Sequence, residues 1–287
     1  MSLWKYKVKK AMVSMGSRLQ CTFQSRAVIL CYHSIHPTRS FRSATPELFE
    51  THLQWFKEHC DVVPLHELLS SPPCDGLHSG LKVAITFDDG YVDNYEHAFP
   101  LLMKHKLSAT FFITVGLLER DSQVIERFRS LRQTDTEEIE PLTWQQAREM
   151  LDAGMELGSH TYSHPNLAPL GRAQLDWELK HAKTIMEERI GQRVDGLAYP
   201  FGKSHRHFNA LTMEMVRDAG YQYAMAVCFR RVLPRDSRWA LPRFFITGDS
   251  LEILENKIKG GWDLLGYFQE CSPLWLARIV SPQDFMV

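Results

Sequence analysis

The sequence predicts an α/β fold, a single (β/α) barrel, on three observations. Short apolar, β-rich runs alternate with amphipathic helical stretches along most of the chain. The 287 residues, 44% hydrophobic and 11% aromatic, are enough to bury one large core. Polar residues of catalytic type stand directly after several of the β-like runs, at the C-terminal strand ends where parallel barrels build their sites.

The chain opens on a basic arm. Residues 1 to 46 carry eight Lys/Arg and no acid before Glu47, whereas the remainder holds 25 basic against 34 acidic residues, so the net charge of -1 hides an asymmetry. Trp4, Val8, Ala11, Met12, Met15 and Leu19 fall on one helical arc, with Lys5, Lys9 and Lys10 outside it. Two readings of this arm, residues 1–26, stay open: residues 1–22 dock on an anionic membrane, or the stripe packs on the barrel. A targeting peptide is a third.

Ala27 to Cys31 reads as the first strand. Thr45-Pro46 then supplies an N-cap and a first-turn proline for a helix carrying Phe49, Leu53 and Phe56. Further strands are expected near Asp61 to Val63, Val83 to Phe87, Ala109 to Thr114, Met155 to Gly158, Leu197 to Tyr199 and Tyr223 to Val227. Thr143 to Gln146 is a capping box, and Leu175, Leu179, Ala182, Met186 and Ile190 form a helical stripe that stops at Gly191. Ser70 to Gly80 and the charged stretch Glu119 to Glu140 read as loops or insertions. The expected organisation is the arm, a catalytic barrel over 27–250, and an extension over 251–287 that packs on it.

Two segments carry the chemistry. The apolar run Val83 to Phe87 ends in Asp88-Asp89-Gly90, so two carboxylates sit at a strand terminus with their side chains turned apart. One can bind a cation while its neighbour faces a water. His160, 71 positions after Asp89, opens His160-Thr161-Tyr162-Ser163-His164, whose histidines share a side in helical or extended backbone. Two imidazoles and a carboxylate are a common catalytic zinc set with one position left for water. Either segment alone is more often a turn or a pair of surface histidines; their combination shifts the balance. The helical zinc-protease motif does not fit, because Thr161 stands where its general-base Glu would be.

At these residues the chain resembles the polysaccharide deacetylase family, also called the NodB-homology or carbohydrate esterase 4 family, over about Val28 to Ile246. Thr86-Phe87-Asp88-Asp89-Gly90 is similar to its first motif, which implies Asp88 as catalytic base and Asp89 as metal ligand. His160 and His164 resemble the second, supplying the metal histidines. Ala198-Tyr199-Pro200-Phe201-Gly202 resembles the third, which implies that Tyr199, Pro200 and Phe201 line the substrate groove and that the Phe201 N–H faces an oxyanion. The resemblance implies a distorted seven-stranded NodB-type barrel that removes N-acetyl groups from an N-acetylhexosamine glycan, polymeric or lipid-linked, with a divalent metal. Zn2+ is expected; Co2+, Ni2+ and Mn2+ suit the same ligands.

The chain departs from the commoner pattern twice. Ala198 replaces the Arg that opens the third motif, and Phe245 to Asp249 lacks the late His that supplies the acid. A poly-N-acetylglucosamine branch shares the Ala-Tyr-Pro variant and takes its acid from an early Tyr-His, which Tyr32-His33 resembles. Arg243 is the candidate for the missing Arg, against a plain surface ion pair.

Two rival functions remain. One is hydrolysis of a C–N bond in a small non-sugar amide; the other is a non-catalytic carbohydrate-binding role, disfavoured because binding needs no base beside a metal. The acidic body speaks against nucleic acid. No run of 18 apolar residues is present, no signal peptide is evident, and six scattered cysteines suit free thiols. A cytoplasmic location, or the cytoplasmic membrane surface, is the expectation.

Overall fold

The computed structural model describes residues 27–38, 43–70, 80–132 and 140–271. The basic arm lies outside the described residues.

The elements follow the predicted alternation. They are β1 (Ala27–Tyr32), β2 (Ser34–Ile35), β3 (Ser43–Ala44), α1 (Pro46–His59), β4 (Asp61–Val62), α2 (Leu65–Ser70) and β5 (Lys82–Phe87). A π-turn (Asn94–Ala98) leads into α3 (Phe99–His105), then β6 (Thr110–Ile113), α4 (Val115–Leu118), α5 (Ser122–Arg132), α6 (Trp144–Asp152) and β7 (Glu156–Ser159). After α7 (Arg172–Asp176) a second π-turn (Trp177–His181) continues into α8 (Ala182–Ile190), followed by β8 (Gly196–Ala198), α9 (Ala210–Asp218), β9 (Tyr223–Met225) and β10 (Phe244–Phe245). Two helices, α10 (Leu251–Ile258) and α11 (Asp263–Cys271), complete the described chain.

The sheet runs β10-β1-β5-β6-β7-β8-β9 with every neighbouring pair parallel. β4 pairs with the first half of β5 and β6 with the second. Its two ends meet. Ala226 N–H donates to the Leu241 carbonyl, Leu241 N–H to Ala224, and Cys228 N–H to Arg243, so the segment entering β10 lies between β9 and β1 and closes seven strands on themselves.

Local chemistry explains the elements. β1 is buried at all six positions, as a continuous apolar run must be when helices cover a parallel sheet. Thr45 Oγ1 accepts from Leu48 N–H at the start of α1, and Thr143 and Gln146 exchange capping bonds at the start of α6. Gly191 ends α8 at φ +72°. Between the sheet and the helices Phe87 stacks on Phe111 at 4.8 Å and on Tyr32 at 5.5 Å, and meets Phe49 of α1 edge-on at 5.7 Å.

Three sequence expectations need correction. Glu119 to Glu140 is not a plain loop: α5 occupies Ser122–Arg132 and buries Val124 and Phe128. Ser70 belongs to α2. The strand Phe244–Phe245, which Arg243 immediately precedes, is absent from the expected strands, being too short and too close to Pro242 to show a β pattern. Helices α10 and α11 bury Leu254, Ile258 and Leu265, and are tied down by Lys257 to Asp249 and Arg231 to Asp263, both at 2.7 Å.

Candidate active site

Asp88, Asp89, His33 and His160 collect at the C-terminal end of the barrel, each within two residues of the end of a strand, and Arg243, just before β10, reaches Asp88 from across the barrel. Asp88 continues β5, where its N–H donates to Tyr32. Asp89 turns sharply at φ +76°, and the two carboxylates take different partners although both approach His160 Nε2, Asp88 Oδ2 at 3.9 Å and Asp89 Oδ1 at 3.5 Å.

The His160 to His164 segment is neither helix nor strand. Thr161 and His164 have φ of +68° and +55°, and this turn brings both rings to one point, their centroids 4.8 Å apart. Its backbone is held from below: Glu178, in the second π-turn, accepts from Tyr162 N–H at 3.1 Å and Ser163 N–H at 2.9 Å. Gly116 donates its N–H to Tyr162 at 2.8 Å, and a Cβ there would meet that oxygen at 2.9 Å, so the close approach requires glycine.

Nε2 of His160 and Nε2 of His164 each lie 3.5 Å from Asp89 Oδ1. That oxygen is buried and accepts no hydrogen bond among the described residues. A buried carboxylate oxygen without a donor is costly unless something else neutralises it. His160 Nδ1 lies 2.8 Å from the Ala198 carbonyl, which can only accept, so Nδ1 is the donor of that pair and Nε2 is the nitrogen turned toward Asp89. One carboxylate oxygen and two imidazole nitrogens converging in this way fit a divalent cation.

Asp88 is differently partnered. Arg243, fully buried, reaches both its oxygens at 2.7 Å in a bidentate pair, and also donates to Thr86 Oγ1 at 3.0 Å. Desolvation pushes Asp88 toward the neutral acid, but the Arg243 charge, with His160 and His33 adding to it, outweighs burial and holds the carboxyl well below the usual carboxylate range. The Cys31 thiol donates to Asp88 Oδ2 at 3.3 Å; burial pushes that thiol far up, so it stays protonated. Arg243 is therefore no surface ion pair.

His33 follows β1 and is buried against Phe245 at 4.7 Å, with its carbonyl held by Asn94 Nδ2 at 2.8 Å. Its Nδ1 lies 3.9 Å from Cys31 Sγ. In the third segment the residues part ways. Tyr199 is in the core, stacked on Phe208 at 3.9 Å with its hydroxyl on the Trp239 carbonyl, and Pro200 is buried beside it. Phe201 is half-buried at φ +61° with its ring 4.7 Å from His164. Only Phe201 of the three brings a partly exposed side chain to the histidines.

Sequence reasoning missed the supports: Cys31, Asn94, Glu178, and Phe128 of α5, whose ring packs on His164 at 5.0 Å. The 124/128 spacing in α5 was a legible helical signal. The others depend on contacts that no local pattern announces.

A family model described as polysaccharide deacetylase matches residues 78–224. YxkH of Bacillus subtilis (strain 168) is 30% identical over 196 residues, 68% of this chain, and the chain spans 62% of that protein's length. The poly-beta-1,6-N-acetyl-D-glucosamine N-deacetylase of Staphylococcus aureus (strain MRSA252) is 26% identical over 77% of this chain and 72% of its own. Among solved structures, the Streptococcus pyogenes deacetylase PplD in complex with acetate superposes with a TM-score of 0.68 at 25% identity, covering 81% of this chain and 97% of that one. The motifs, the closed parallel barrel and the match to half the sequence thus lead to one conclusion, that the chain belongs to the polysaccharide deacetylase family.

Proposed function

We propose that the protein is a divalent-metal-dependent hydrolase that removes N-acetyl groups from an N-acetylhexosamine glycan, polymeric or lipid-linked. The observation that carries this is the pairing of an unsatisfied Asp89 oxygen beside two imidazoles with a neighbouring carboxylate kept ionised by Arg243. Asp89, His160 and His164 would hold the ion, Zn2+ or Co2+, Ni2+ or Mn2+, and when bound it supplies Lewis-acid polarisation and a more acidic water.

Each remaining role falls to a residue of this chain. Asp88 accepts the proton of the attacking water; Arg243 keeps it charged and fixes its orientation. The Phe201 N–H faces the developing oxyanion, an arrangement worth roughly 3 kcal/mol per donor. His33 protonates the leaving amine, which cannot depart as an anion. The name of the Staphylococcus aureus relative favours a poly-N-acetylglucosamine substrate. A pure binding role would leave the buried Asp88–Arg243 pair without a purpose.

The test is acetate release by metal-loaded protein from a panel of N-acetylglucosamine oligomers and lipid-linked precursors. Chelation, His160→Ala and His164→Ala should abolish it, whereas Asp88→Asn should keep the metal and lose most of kcat. Full activity in chelated protein, or metal loss in Asp88→Asn but not Asp89→Asn, would overturn the assignment.

No helix among the described residues is long and apolar enough to cross a membrane. We place the protein in the cytoplasm or at its membrane surface, with residues 1–22 as the contact. The arm is tested separately: deleting residues 1–22 should abolish binding to anionic vesicles and leave deacetylation of a soluble oligomer intact.

A further inference from the structure

Five large hydrophobic side chains stand exposed among the described residues: Met103, Leu131, Trp177, Ile253 and Tyr267. Trp177 is the most exposed at 47%, and its ring packs on Tyr162 in the segment between His160 and His164. Its ring meets Tyr162 edge-on, centroids 4.6 Å apart at 66°, and His181 closes the group at 5.2 Å from both.

The platform is anchored rather than loose. Trp177 begins the second π-turn, and its neighbour Glu178 holds the N–H groups of Tyr162 and Ser163. Tyr162 is fixed at its far end as well, its hydroxyl donating to Asp121 at 3.2 Å. Single π-turns in otherwise α-helical stretches are frequent at functional sites, and here the turn carries an indole beside the loop that bears both histidines. Leaving an indole half in water forgoes its burial energy, so a ligand that covers it recovers that energy.

We propose that Trp177, backed by Tyr162, is a stacking subsite for a hexosamine ring of the same glycan chain, beyond the unit presented to Asp88. This rests on the deacetylase reading above. A pyranose offers one face of C–H groups and a rim of hydroxyls; the negative face of an indole attracts the first and leaves the second in water. The site therefore senses chain length, not the acetyl group.

The test uses β-1,6- and β-1,4-linked N-acetylglucosamine oligomers of two to six units, with acetate release and calorimetric binding as readouts. Trp177→Ala should lower kcat/KM on the hexamer about five- to tenfold, mainly through KM, with a much smaller effect on the dimer, and Trp177→Phe should restore most of the loss. Equal losses on dimer and hexamer would mean that Trp177 only props the Tyr162 loop, and unchanged kinetics on all lengths would remove the subsite while leaving the deacetylase reading intact. Unchanged oligomer kinetics with lost binding to anionic vesicles would assign the indole to a lipid surface instead. If the wild type releases no acetate, calorimetry decides: hexamer binding lost in Trp177→Ala upholds the subsite alone, and no difference or no binding overturns it.

Discussion

Arg243 and Asp88 form a buried charge pair, and the consequences of cutting it are unequal. Arg243→Ala strands a buried carboxylate and should cost about 3–5 kcal/mol of stability, read from denaturant melts. Arg243→Lys keeps the charge but cannot reproduce the two-point contact at 2.7 Å, so it should fold and show a reduced kcat. His33→Ala should bind metal normally yet lose about 100-fold or more in kcat on an acetamide, with a far smaller loss on an activated ester that needs no proton. His36, hydrogen-bonded locally to Thr38, is the control and should tolerate Ala. At this scale Asp88, Asp89, His160 and His164 were legible because their chemistry shows in side-chain type and spacing. The Cys31 thiol on Asp88 was not, since the two lie 57 positions apart and meet only once β1 and β5 pair.

Helix α5 shows how an element can be misread. Its charged residues advertise a loop, yet Val124 and Phe128 are buried, and Phe128 forms part of the wall behind His164. Phe128→Ala should cost about 3–5 kcal/mol from the cavity and weaken metal retention, measured by melting and by metal content after dialysis. Helix α1 carries a different liability. His52 lies between the Tyr32 hydroxyl at 3.0 Å and the Asp249 carbonyl at 2.9 Å, and burial lowers its pKa to about 4. Its folded value is below the ordinary 6.5, so above that pH both states are neutral and nothing changes. As pH falls from about 6.5 to about 4 the unfolded chain binds the extra proton and stability declines, by roughly 3 kcal/mol in all. His207, which burial also lowers to about 4, acts in the same direction. His52→Gln should flatten part of that decline in thermal melts recorded across the window. A wild-type melting temperature constant from pH 7 to pH 4 would contradict it.

For the molecule as a whole, alternating runs and helix caps were enough to forecast a parallel barrel, because each strand's apolar composition reports burial on both faces. How the barrel closes was not forecast: it depends on a two-residue strand preceded by Pro242, whose hydrogen bonds with β9 and β1 are set by tertiary contact alone. A chain ending at residue 250 loses Leu254, Ile258 and Leu265 from the core, so it should melt at a markedly lower temperature or bind hydrophobic dyes, with full wild-type melting as the contrary result. The same closing strand couples synthesis to chemistry. Asp88 and Arg243 are 155 positions apart, so a ribosome delivers the whole candidate metal set before it delivers the guanidinium that keeps the base charged. A stalled, nicked or half-made chain therefore holds the candidate metal ligands while Asp88 lacks its guanidinium, and the site is complete only once the segment through Arg243 lies between β9 and β1.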